Sequence, residues 1–210
     1  TREVGVVGAV NYSYDNRYLA DLSYRLSGSS IYGSDNRWGG FWSAGVGWNL
    51  HHEAFLKEAE WLRQFKLRAS VGYTGSQNFN PYQAMATYKY FTDAEYDNIV
   101  GAYLMGMAND KLKWQQTRDV NVGFDVQLLK GMTVRFDYYV SNTDNLLVDF
   151  DLSGSTGFNT FKENLGEVQN RGFDATINWR VYENTKNDAY VTLFGSVSSN
   201  KNEIKKISDA

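Results

Sequence analysis

The sequence predicts an all-β fold: an antiparallel transmembrane β-barrel segment of about eight long strands with one short periplasmic-side helix. Three observations predict it. Apolar and polar residues alternate with period two along most of the chain. The alternating stretches run to about 9–11 residues, the length a strand needs to cross a bilayer, whereas soluble strands peak near 5–6. The connections between them alternate between short and long, as the periplasmic turns and extracellular loops of membrane barrels do.

The clearest strand is 119 to 128. Val120, Val122, Phe124, Val126 and Leu128 fall on one face, and Asp119, Asn121, Gly123, Asp125 and Gln127 on the other. A helix would scatter both sets around its circumference. In chain order, the weaker first case is 4 to 14, with Val4, Val6, Val10, Tyr12 and Tyr14 on one face. Residues 17 to 26 set Tyr18, Ala20, Leu22, Tyr24 and Leu26 against Asp21, Ser23 and Arg25. The third, 38 to 48, carries Trp38, Trp42, Ala44, Val46 and Trp48. The fourth, 65 to 74, sets Phe65, Leu67, Ala69, Val71 and Tyr73 against Lys66, Arg68, Ser70, Gly72 and Thr74. After 119 to 128 come 133 to 141 (Val134, Phe136, Tyr138, Val140), 173 to 181 (Phe173, Ala175, Ile177, Trp179, Val181) and the weaker 189 to 198 (Val191, Leu193, Val197). The same alternation suits a soluble antiparallel sheet, whose polar face meets bulk water.

The connections sharpen the choice. Asp15-Asn16-Arg17, Lys130-Gly131-Met132 and Tyr182 to Asp188 are short, while Ser27 to Arg37, Gly75 to Gln116 and Val148 to Gly166 are long. Strand direction alternates, so the two sets lie at opposite ends of the sheet. The exception, Asn49 to Gln64, has no Gly or Pro and is rich in helix formers over Ala54 to Arg63, which predicts the short helix. Trp38, Trp42, Trp48, Trp61, Trp114 and Trp179 mostly sit near strand ends, where interfacial girdles form; large aromatics can equally fill a core.

Composition excludes several classes. The 210 residues contain no Cys, which removes disulfides, thiol nucleophiles and Cys-ligated zinc. An aromatic share of 16% is too high for a disordered chain, and a net charge of -3 gives no reason to expect nucleic acid. No apolar run reaches the length of a spanning helix, which leaves barrel strands untouched. His51 and His52 are adjacent, so their side chains are expected to diverge rather than chelate a metal. No nucleophile elbow, Walker sequence or dinucleotide fingerprint is present, and neither catalysis nor a cofactor is expected. Asp93, Glu95, Asp97 and Asn98, with Asp149 and Asp151, offer oxygen ligands but not calcium-loop spacing, so they read as solvated loop acids. The long connection holds Phe79, Tyr82, Tyr88, Tyr90, Phe91, Tyr96 and Tyr103, which can stack on sugar rings or pack the loop on itself. In a soluble β-sandwich they would make a carbohydrate-binding module.

Four spaced motifs carry a family resemblance. Residues 11 to 50 contain Asn11-Tyr12-Ser13-Tyr14, Arg25-Leu26-Ser27-Gly28-Ser29-Ser30-Ile31-Tyr32-Gly33 and Asn36-Arg37-Trp38-Gly39. Then follow LRASVGYTGSQN at 67 to 78, LKWQQTRDVNVGFD within 112 to 147, and NLGEVQNRGFD at 164 to 174. The last strand exit reads SVSSNKNEI. The chain resembles the barrel of the SusC/RagA-type TonB-linked outer-membrane transporters of Bacteroidetes. It departs from the family pattern at Ser27, Tyr32, Gln115 and Asp174. The resemblance implies part of a 22-stranded barrel that imports glycans or peptides with energy from TonB, under a SusD-like surface lipoprotein. The plug, the TonB box and the final strands are expected to lie outside this chain, which opens on Thr1 in strand-like sequence and reads as a fragment. Outer-membrane lipid is the expected surroundings. Tyr82, Tyr88, Tyr90, Phe91, Tyr96 and Tyr103 are the candidate contacts to substrate or lid.

Overall fold

The structure, a computed structural model, describes residues 2–32, 34–76, 84–97, 99–128, 131–184, 187 and 189–207. Ten strands form: β1 (Glu3–Tyr14), β2 (Tyr18–Ser29), β3 (Trp38–Asn49), β4 (Leu62–Ser76), β5 (Thr87–Tyr96), β6 (Ile99–Gly106), β7 (Gln115–Leu128), β8 (Met132–Asp151), β9 (Thr160–Asn184) and β10 (Ala189–Lys206). Eight of them make one antiparallel sheet in the order β1-β2-β3-β4-β7-β8-β9-β10, and β5-β6 make a separate hairpin. The eight expected strands are therefore present in the expected order. A sandwich would need a second packed sheet, and the hairpin is the only other sheet among the described residues. The buried apolar residues there are Tyr32, Phe41, Leu50, Ala84, Leu112 and Trp114, too few for a soluble core.

The register places the apolar residues on one face. One hydrogen-bonded row reads Tyr14, Tyr18, Trp48, Leu67, Phe124, Phe136, Ala175, Val197 across the sheet. Two rows towards the long loops it reads Val10, Leu22, Ala44, Val71, Val120, Val140, and then Arg171 and Lys201. The apolar band thus slides across the rows instead of following them. Its upper edge is Val4 on β1, ten residues above Tyr14, but on β10 it is Val197, in the same row as Tyr14. Its lower edge moves from Tyr14 on β1 to Val191 on β10, six residues below Val197. The mean slide is about eight residues over seven strand-to-strand steps. With a rise of about 3.4 Å per residue and about 4.8 Å between strands, the band lies about 39° off the hydrogen-bonded rows, inside the 35–45° strand tilt of membrane barrels.

Aromatic rings mark the edges of the band. Tyr14, Tyr18 and Trp48 stack in series at the short-turn end, with centroids 6.5 and 6.2 Å apart. Trp38 lies ten residues up β3 from Trp48 and is 62% exposed. Ten residues tilted by about 39° span about 26 Å, the height of a membrane barrel's apolar band. Trp114 departs from the girdle expectation: it is buried at the long-loop end.

The helix expected near residues 54 to 63 does not form. Leu50–His52 make a 3-10 turn, and 53 to 60 continue as turns closed by Lys57 N donating to Glu53 O at 2.9 Å and Ala59 N to Leu56 O at 3.0 Å. The side chain of Glu53 decides the conformation. One of its oxygens accepts from both Tyr18 OH and Trp48 Nε1, each at 3.0 Å, and Arg17 lies 3.7 Å from the other. Asn49 ties the same corner to the β1–β2 turn, its Nδ2 donating to Asn16 O at 2.6 Å. That turn needs positive φ at Asp15 (49°) and Asn16 (50°), as a type I′ hairpin does. A free helix would lose these anchors to the girdle. His51 and His52 also depart from expectation: their rings do not diverge but lie 4.2 Å apart, while Phe65 N donates to His51 Nδ1 at 3.3 Å.

The indole donor of Trp48, with the Tyr18 hydroxyl, holds the Glu53 carboxyl below its ordinary pKa. A lowered native pKa stabilises the fold above the unfolded-state value, and the stabilisation is lost as pH falls through the native one. Glu53→Gln is therefore expected to lower stability at neutral pH, with the gap to wild type closing on acidification below the ordinary glutamate range. Unfolding of the bilayer-embedded full-length protein at a series of pH values checks this.

Candidate functional site at the long-loop end

The polar face of the sheet carries an ion network. Arg68 on β4 reaches Asp125 on β7 at 2.9 Å and Asp137 on β8 at 3.0 Å, and Arg135 reaches Asp125 at 2.7 Å. Arg68 can cross a whole strand because Gly123 stands between it and Asp137 in the same row, and a Cβ there would overlap the Asp137 carboxylate. Four charges sharing partners on a half-buried wall hold it rigid more than isolated surface pairs do.

Towards the long loops the same face turns aromatic. Phe41 lies on the polar face of β3, with the flanking Gly39 and, across β4, Gly75; a Cβ at Gly75 would overlap its ring. Trp114 meets Phe41 edge-on at 5.4 Å and stacks on Tyr32 at 4.1 Å. Tyr32 donates its hydroxyl to Ser76 O at 3.1 Å, and burial pushes its pKa up. Ile31 and Leu147 close the cluster. Segments 27–41, 75–76, 112–114 and 147 are far apart in sequence, and this small core gathers them.

An asparagine strap holds the segment before β7. Asn164 on β9 accepts from Lys113 N at 2.8 Å, and its Nδ2 donates to Asn145 O at 2.8 Å and Lys113 O at 3.2 Å. Asn109 donates to Lys162 O at 2.8 Å, and Asn36 to Lys111 O at 3.3 Å. The β8–β9 ladder shifts register on either side of Leu146, and Asn145 adopts φ 58° beside that irregularity. The bulge brings Asn145 O within reach of Asn164. The result is a polar cleft of about 520 Å³ whose walls include Lys111, Lys113, Phe161 and Glu163. Sequence reasoning did not find the strap: Asn145 follows Asn142, Thr143 and Asp144, and Asn164 follows Lys162 and Glu163, so neither stands out from its polar neighbours.

The described candidate aromatics fall on the β5–β6 hairpin, which no alternation of apolar and polar residues announces. Tyr88 pairs with Leu104, Lys89 with Tyr103 and Tyr90 with Ala102. Tyr88 and Tyr90 therefore share one face and are 66% and 67% exposed, while Phe91 and Tyr103 lie on the other face, 5.0 Å apart. They form two small platforms rather than one. Tyr96 pairs through its backbone with Ile99 at the hairpin turn, and Tyr82 lies outside the described residues. Of the acids, Asp149 is ion-paired to Lys162 at 2.6 Å; Asn98 lies outside the described residues, as do the side chains of Asp93 and Glu95. No group of three or more His, Cys, Asp or Glu able to hold a metal occurs among the described residues.

Asn164→Ala removes three hydrogen bonds from a part-buried site, and a loss of roughly 1–3 kcal/mol in local stability is expected. Hydrogen exchange at residues 109 to 114 of the full-length protein should accelerate accordingly while β7 stays protected.

Residues 1–208 match the family described as TonB dependent receptor-like, beta-barrel. TonB-dependent receptor P3 of Formosa agariphila is 34% identical over the whole chain, which covers 21% of that receptor. TonB-dependent receptor SusC of Bacteroides thetaiotaomicron is 34% identical over 97% of the chain, which covers 21% of SusC. The RagAB peptide importer in its closed-closed state superposes on 98% of the chain and 22% of its own with a TM-score of 0.89 at 26% identity. The chain spans about a fifth of the length of the curated relatives it matches. With its tilted one-faced sheet and its SusC- and RagAB-like sequence and shape, the chain belongs to the TonB-dependent receptor-like β-barrel family.

Proposed function

We propose that this chain is a stretch of barrel wall from a TonB-dependent outer-membrane importer of large nutrients, glycans or peptides. The observation that carries the reading is the apolar band running about 39° across the hydrogen-bonded rows. A soluble sheet has no use for a level band on a tilted lattice; a sheet closed into a barrel in lipid requires one. In this reading the apolar face meets lipid, and the Arg68 network lines the lumen. The long-loop end is extracellular. There the Tyr32–Phe41–Trp114 core holds the rim, and the β4–β7 connection carries the β5–β6 hairpin.

Tyr88 and Tyr90, the Phe91–Tyr103 pair, Tyr82 and Tyr96 are the candidate contacts for the incoming nutrient or for a SusD-like lipoprotein lid. The likeness to SusC and to RagAB supports that partner. TonB would act through a region outside this chain, and the wall itself catalyses nothing.

The test uses cells that depend on the full-length parent for growth on a single glycan or peptide source. Tyr88→Ala/Tyr90→Ala is expected to lower uptake by about tenfold, the loss of two stacking contacts, with an unchanged amount of barrel in the outer membrane. Unchanged uptake would remove these residues from the site. A full-length parent that stays in the aqueous phase without detergent would contradict the importer reading itself.

A further inference from the structure

Above Ser43 and Gly72 the strands β3 and β4 part. Their ladder runs only from Ser43–Gly72 down to Asn49–Lys66, while β3 stays paired with β2 up to Trp38 and β4 with β7 up to Ser76. The Phe41 ring leans across this fork onto Gly75, where a Cβ would overlap it. A hollow of about 190 Å³ opens there on the polar face, and its walls include Glu3, Arg25, Ser27, Phe41, Thr74 and Trp114. Three of the four positions that depart from the family pattern gather at it. Ser27 lines it, Tyr32 stacks on Trp114, and Gln115 follows Trp114 and pairs with Ser76. The hollow is therefore particular to this chain.

Its polar groups suit a hydroxylated ligand without net charge. Arg25 Nε donates to Ser27 Oγ at 2.8 Å, but its Nη2 stands 3.7 Å from Glu3 Oε1, beyond hydrogen-bond reach. The two charges balance, yet the guanidinium keeps free donors and the carboxylate free acceptors. Both side chains are more than half exposed. A donor beside an acceptor matches two neighbouring hydroxyls, one accepting from Arg25 and the other donating to Glu3. Trp114 calls for a third contact. It is 5% exposed, and its Nε1–H has no acceptor among the described residues. Tyr32 and Phe41 hold the ring in place. A buried donor left unmet carries a desolvation cost, which an incoming acceptor recovers.

We propose that this hollow binds one sugar unit of a neutral glycan. Arg25 and Glu3 hold a pair of adjacent hydroxyls, and Trp114 Nε1–H donates to a third sugar oxygen. The hollow has room for a single sugar ring, and Thr74 adds one more hydroxyl to its wall. A uronate would meet the Glu3 carboxylate beside Arg25, which disfavours an acidic sugar. The proposal rests on the importer reading above and narrows its nutrients from glycans or peptides to neutral glycans.

The test applies the full-length parent in neutral detergent to an array of neutral oligosaccharides, oligouronates and short peptides. Wild type is expected to retain neutral oligosaccharides above the other two classes. The oligosaccharide held most tightly is then titrated into wild type, Arg25→Met, Trp114→Phe and Lys66→Gln, the last lying on the same face of β4 but well below Thr74. Arg25→Met and Trp114→Phe are each expected to bind about tenfold more weakly, the loss of one hydrogen bond apiece. Lys66→Gln is expected to match wild type. Thermal unfolding shows which variants are folded; if Trp114→Phe is not, Arg25→Met and Thr74→Val decide the matter. Retention of peptides alone, a preference for oligouronates, equal binding by the folded hollow variants or an equal loss in Lys66→Gln would overturn the proposal. Insertion into phosphatidylcholine bilayers is measured alongside. A parent that fails to insert defeats the importer reading, whereas inserting variants with unaltered glycan binding defeat only this one.

Discussion

In a tilted sheet the hydrogen-bonded rows and the bilayer are not parallel, and the sequence absorbs that difference strand by strand. Inside hydrocarbon every backbone donor and acceptor must be paired, which fixes the register. A charge near the bilayer centre costs about 2.5–3.5 kcal/mol, which fixes where the apolar residues must lie. Both conditions hold together only if the apolar band slides about one residue per strand. Val10 and Lys201 show it: the same hydrogen-bonded row carries a valine on β1 and a lysine on β10. A level row would place that lysine and Arg171 in the middle of the membrane.

In the proposed membrane setting, the other features of the wall follow from having one face in lipid. The opposite face is free to be polar, so it can hold Arg68 between Asp125 and Asp137, with Gly123 leaving room for the crossing. At the short-turn end the girdle residues Tyr18 and Trp48 still have hydrogen-bond donors to satisfy, and Glu53 supplies the acceptor for both. At the other end the strands outrun the band. β8 and β9 have 20 and 25 residues, about twice what a bilayer needs, and the excess forms the rim. There the wall regains a core, where Tyr32, Phe41 and Trp114 are buried against each other. The motifs around 27–41, 112–114 and 164–166 meet at that rim although they are scattered along the chain.

The eight wall strands were legible because each has one greasy face, which period two reports directly. The diagonal was not legible, since it exists only once register is known. β5 and β6 were missed for a physical reason. Tyr88 and Tyr90 point one way and Phe91 the other, so neither face of the hairpin contrasts with its opposite and no alternation results. The helix near residues 54 to 63 was overpredicted because propensity counts good formers but not the Glu53 anchors that bind the segment to the girdle. For Trp114, just outside a strand end, the sequence leaves a girdle and a core role both open; only its contacts with Phe41 and Tyr32 decide for the core. The aromatic candidates of the long connection were found as residues, but their division between two faces of a hairpin was not.

The slope of the band sets how deep each residue lies in a bilayer, and depth can be measured. Single cysteines would be placed in an otherwise Cys-free full-length parent at Val10, Gly195 and Lys201, spin-labelled in a bilayer, and their immersion read from relative access to oxygen and to a polar nickel complex. The slope predicts that Val10 and Gly195 report similar, deep positions. Lys201, in the hydrogen-bonded row of Val10, should report the headgroup region. Equal depth for Val10 and Lys201, with Gly195 displaced towards the short-turn side, would contradict it.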